Sequence, residues 1–104
     1  MKEKEAINLT ELGKLCCWLA TNNFRFTFKT FFDGAQIVVY SKDNSRAWDA
    51  VCHSGSYGHE DGLLEIMGCI VDEDECGDTV RGWLTANDVI EIVVGMLLED
   101  TYPL

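Results

Sequence analysis

Apolar residues first recur at helical spacing. Leu9, Leu12, Leu15, Cys16 and Leu19 fall on one stripe, which predicts an amphipathic helix. Asn8 followed by Glu11 predicts a capping box, the Asn side chain accepting from a free backbone N–H of the first turn. Thr21-Asn22-Asn23 should end the helix, because such residues offer the backbone competing local hydrogen bonds.

The period then changes from 3.6 to 2. Phe24, Phe26 and Phe28 alternate with Arg25, Thr27 and Lys29, the signature of a half-buried strand. Asp33-Gly34 suits a two-residue type I′ turn, where both central residues need positive φ. Ala35 to Tyr40 is the returning strand. A turn at 33–34 sets Phe28 opposite Val39 and Thr30 opposite Ile37. Phe26, Phe28, Ile37 and Val39 then share the core face, which the first helix covers. After the polar turn SKDNSR, Ala47 to Cys52 predicts a third strand with Trp48, Ala50 and Cys52 inward and Asp49 outward.

Leu63, Leu64, Ile66, Met67 and Ile70 fit either a short helix or a strand. Helix-forming Leu, Glu and Met, with Glu60-Asp61 before them and Gly68 placed to stop them, favour the helix. An acidic loop, VDEDECGD, follows. Thr79 to Leu84 is an extended connector or edge strand. Thr85 with Asp88 predicts a second capping box. Val89, Ile92, Val93, Met96 and Leu97 continue from it, widened by Ile90, Val94 and Leu98. A stripe that wide is buried on more than one side, centrally or against a second subunit. A homodimer through the 86–98 helix is the corresponding expectation. The expected architecture is one α+β domain over residues 1–104, a three-stranded antiparallel meander packed with two or three helices.

Composition narrows the function. The chain of 104 residues has no run near the roughly 20 apolar residues that span a bilayer. Its charged start, MKEKEAINLTEL, lacks the apolar core of a secretory signal. Five cysteines, two adjacent and none in a C-x-x-C pair, suit buried thiols better than a disulfide framework. A cytoplasmic location is expected. The net charge is -10 and uneven: residues 1–46 sum to +2, while residues 47–104 carry thirteen acids and one base, Arg81. Such a field repels nucleic acid and favours a protein partner with a basic surface. An acidic surface also serves solubility alone.

The candidate chemistry gathers between Trp48 and Cys69, in WDAVCHSGSYGHEDGLLEIMGC. Cys52, His53, His59, Glu60 and Asp61 have the makings of a metal site or a Cys–His nucleophile. Neighbours at a strand end point to opposite faces, however, so His53 is poorly placed to activate Cys52. Cys69 and Cys76 lack the two-to-four-residue clasp of zinc sites. No metal or other cofactor is expected. Gly55-Ser56-Tyr57-Gly58 reads as turn geometry, since no base is near to help hold an anion. Asp72, Asp74 and Gly77 imitate the start of an EF-hand loop, but the twelfth position is Trp83 instead of the required Glu. The residues best suited to binding are Tyr57, His59, Glu60 and Asp61, with the acidic run Asp72, Glu73, Asp74 and Glu75. Tyr anchors interfaces at small entropic cost.

The run CHSGSYGHEDGLLEIMG, followed after a spacer by GWLTANDV, resembles small uncharacterised proteins of prophages and conjugative elements in gut Firmicutes. The resemblance covers roughly residues 47–94 and carries no catalytic residue with it. It implies a genetic setting in which small acidic proteins block host defence enzymes. The expected function is therefore non-enzymatic protein binding, in its sharpest form a mobile-element inhibitor of a host defence enzyme. The alternative is a small metal- or thiol-dependent enzyme centred on the loop from Cys52 to Asp61.

Overall fold

A computed structural model describes residues 7–71 and 80–102. The elements are α1 (Thr10–Thr21), β1 (Arg25–Phe31), β2 (Gly34–Tyr40), β3 (Arg46–Cys52), a single 3-10 turn (His59–Asp61), β4 (Leu64–Gly68), β5 (Val80–Leu84) and α2 (Ala86–Leu98). The five strands of the described residues form one antiparallel meander in chain order. The α+β class stands, but the sheet has two strands more than the three expected. Both extra strands lie after the central loop.

The stretch expected as a helix, 63–70, is mostly β4. Leu64 and Ile66 are fully buried while Glu65 and Met67 face the other way, so period 2 prevails over helical propensity. The cause is tertiary: β3 carries the buried Trp48, Ala50, Val51 and Cys52, and its second edge needs a hydrogen-bonded partner. Gly68 does not cap a helix. Its φ is 115°, and a Cβ there would overlap Trp48 Cα, so the bare glycine lets the strand end close against β3. Thr79 lies outside the described residues, and Val80–Leu84 resolves as the edge strand.

The β1–β2 hairpin forms with its turn one residue earlier than expected. Phe31 pairs with Gly34, so Phe32 and Asp33 make the turn, and Phe32 takes the left-handed φ of 55°. Gly34 serves a different purpose, since a Cβ there would overlap the Cys52 carbonyl of β3. The register becomes Phe26 opposite Val39 and Phe28 opposite Ile37. The slip is by an even number, so all four side chains keep their shared face.

Both helices cover that face except at Phe28, which lies on the edge strand, 46% exposed and outside the core. Leu12, Leu15 and Leu19 from α1 and Val89 and Val93 from α2 pack with Ile37, Val39, Trp48, Ala50, Leu64 and Ile66 into one core. The expected Asn8–Glu11 box does not form: among the described residues no side chain caps α1, although Asn8 Oδ1 accepts from Thr10 N at 3.0 Å. Glu11 is used elsewhere, accepting from Ala86 N at 2.8 Å. The second box, Thr85 with Asp88, forms as expected. On α2, Val94, Leu97 and Leu98 stay exposed, so the wide apolar stripe is not a central burial. Among the described residues no helix is long and apolar enough to cross a membrane.

Candidate functional site

The meander sends the β1–β2 turn, the β3–β4 loop, the end of β5 and the start of both helices to one end of the sheet. The loop from His53 to Leu63 is closed by its own polar groups. Ser56, almost fully buried, accepts from His53 N at 3.0 Å and donates from Oγ to His53 O at 2.9 Å. His53 Nδ1 accepts from Gly55 N at 3.0 Å, and its ring lies 5.2 Å from Phe31 and 5.3 Å from Phe32. Asp33 ties the hairpin to the loop by accepting from Ser54 N at 2.9 Å.

His59 is half-buried, with Nδ1 2.7 Å from the Ser56 carbonyl, so that nitrogen carries the proton and donates. It also lies 3.5 Å from Glu60 Oε1. Glu60 and Asp61 are exposed on the 3-10 turn, between Gly58 and Gly62, both left-handed. Tyr57 is 54% exposed and stacks on Trp83, which is 59% exposed. Their ring centroids are 5.2 Å apart and the planes 26° from parallel.

Trp83 is the residue that sequence reasoning missed. Leu84 pairs with Leu64 and Arg81 with Ile66. Gly82 and Trp83 therefore stand together opposite Glu65, a β-bulge. Trp83 adopts a φ of 56°, which for a bulky side chain costs about 1–3 kcal/mol. The bulge throws the indole outward onto Tyr57, and Trp83 N donates to Tyr57 O at 3.3 Å. Two glycines permit the approach. A Cβ on Gly82 would overlap that of Tyr57, and one on Gly58 would lie 3.0 Å from Trp83 Cα. The available signal was Gly82 inside a strand-like run, a mark of bulges and close backbone contact.

The structure thus brings Tyr57, His59, Glu60 and Asp61 into one loop beside Trp83. Asp72, Glu73, Asp74 and Glu75 lie outside the described residues, as does the EF-hand-like segment. Cys52 is fully buried, with Sγ 3.5 Å from the Asn8 carbonyl. Burial, and secondarily the Asp33 charge, pushes its thiol pKa up, which disfavours the thiolate that a nucleophile requires. Among the described residues no cluster of three or more His, Cys, Asp or Glu is arranged to hold a metal ion. No known protein family, curated protein or solved structure matches the chain.

Proposed function

We propose that the protein is a non-enzymatic binder of another protein, and that it docks a basic surface through the loop end of its sheet. The observation that carries this is the exposed Tyr57–Trp83 stack. Its geometry is held at a cost in backbone strain, and strain of that kind gathers at functional positions. Aromatic side chains supply most of the anchoring energy in interfaces. Glu60 and Asp61, in the same loop, add the charge that steers a basic partner and selects its orientation. Asp72, Glu73, Asp74 and Glu75 extend that charge in the sequence. In the sharpest version, supported by the resemblance to mobile-element proteins, the partner is a host defence enzyme that the protein inhibits.

Affinity capture from host lysate, with the parent and Trp83→Ala chains side by side, tests the proposal. A partner retained by the parent and lost by W83A, with both chains equally folded by circular dichroism, is the expected result. A captured partner that both chains hold equally well would remove the aromatic stack from the interface.

A further inference from the structure

The other end of the sheet holds an open cleft, away from the loop. The end of α1, the start of β1, the end of β2 and the last turn of α2 enclose an open cleft of about 510 Å³, within the size range of small-molecule sites. Trp18, Phe24 and Tyr102 form its aromatic wall. Trp18 and Phe24 lie 5.2 Å apart, and Tyr102 meets Phe24 edge-on at 5.9 Å. The Tyr102 hydroxyl is already engaged, accepting from Trp48 Nε1 at 2.9 Å. Val94 and Leu97 complete the apolar lining from α2, and Leu97 remains 41% exposed there.

The polar rim is unlike the rest of the molecule. In a chain with eighteen acids and eight bases, the described residues that line this cleft include Arg25 and Lys42 and no acidic side chain. Among the described residues neither base is in an ion pair; Arg25 instead donates to the Asn44 side chain. The nearest acid in sequence, Asp43, does not line the cleft. Its carboxylate accepts from the Ser41 hydroxyl and from the Ser45 hydroxyl and backbone N–H.

We infer that this cleft binds an amphipathic small-molecule anion, its apolar body against Trp18, Phe24 and Tyr102 and its carboxylate or similar group at Arg25 and Lys42. The charge pattern argues for this occupant over a second copy of the chain. A second copy would bring its own net charge of -10 against a chain of the same charge. A small anion carries a single charge, sits nearest the two local cations and is screened from acids more than about 10 Å away. An aromatic planar anion and an acyl-chain anion share the required chemistry, and the two are separable by experiment.

The test is titration of the full-length chain, labelled with nitrogen-15, with 1-naphthoate, with decanoate and with the uncharged 1-naphthalenemethanol. The three indole N–H signals belong to Trp18, Trp48 and Trp83, and only Trp18 lines the cleft. Saturable shifts of Trp18, followed by Trp48 through its bond to Tyr102, with Trp83 unmoved, are expected for at least one anion. The tighter anion identifies the body as planar or acyl. R25Q/K42Q should weaken that anion about tenfold, the loss of a charge-assisted contact, while leaving the neutral alcohol unchanged. Leu97→Glu, at an exposed position, should abolish anion binding without unfolding the chain. Three results would overturn the inference: no saturable Trp18 shift with either anion, equal anion binding by R25Q/K42Q, or Trp18 shifts that follow protein concentration as in a dimer covering the cleft.

Discussion

Glu11 on α1 accepts a hydrogen bond from the backbone N–H of Ala86, 2.8 Å away and 75 residues later in the chain. The carboxylate sits at the positive N-terminal end of α2, where a negative charge is favoured, and it locks the two helices together over the sheet. The Ala86 N–H, and next the Lys14 ammonium, hold the Glu11 pKa below its ordinary value of 4.5.

Glu11→Ala should lower unfolding free energy by about 1–2 kcal/mol, the size of a lost cap or charge-assisted hydrogen bond. Because the folded pKa is depressed, the contribution is complete above the ordinary carboxylate range. It disappears as pH falls through the lower folded value. Urea unfolding between neutral and acid pH checks this. The parent and E11A curves should converge at low pH, and a constant gap would contradict the assignment.

Gly34→Ala should be severely destabilising, by more than about 2 kcal/mol, since the new Cβ would overlap the Cys52 carbonyl in the adjacent strand. Gly13→Ala provides the contrast. That glycine is helical with open space where a Cβ would go, and the change should stabilise by about 0.5–1 kcal/mol. Thermal or urea denaturation of the two variants should show opposite signs.

Trp83→Asn separates stability from binding. Asn tolerates the left-handed conformation better than a bulky residue does. The relief of strain therefore offsets the lost stacking on Tyr57, worth about 0.5–1.5 kcal/mol. Unfolding free energy within about 1 kcal/mol of the parent is expected, together with loss of partner capture. A loss beyond about 2 kcal/mol would mean that the indole chiefly supports the fold.

The thiols should react in order of exposure. Cys17 is exposed, whereas Cys52 is buried with a raised pKa; Cys16 is half-buried and raised likewise, by burial first and the adjacent Cys17 second. Alkylation of the native protein mapped by mass spectrometry should therefore label Cys17 ahead of Cys16, and Cys52 only on unfolding. Rapid labelling of Cys52 in the folded chain would revive the thiol-enzyme alternative.

The elements readable from sequence were those whose local pattern and tertiary role agree. The α1 stripe, the alternating Phe24–Lys29 segment and the Thr85–Asp88 box each form because nothing distant opposes them. Leu63–Ile70 failed because its residues suit a helix in isolation, while the open edge of β3 imposes a strand. The hairpin register slipped because Gly34 is required by Cys52, a contact 18 residues away that no turn preference encodes. At the site, Tyr57, His59, Glu60 and Asp61 were visible as a loop between apolar runs. Trp83 was hidden, since its exposure depends on a bulge in a strand pairing that only the assembled sheet defines.

The salt dependence of binding between the purified protein and its captured partner tests the central claim most directly. Affinity should fall steeply as salt rises, with association slowed more than dissociation is hastened, because exposed charge acts mainly on encounter. E60Q/D61N, and separately D72N/E73Q/D74N/E75Q, should weaken binding and flatten that dependence while leaving the fold intact. Affinity indifferent to both salt and these substitutions would contradict the account and leave the acidic half a role in solubility alone.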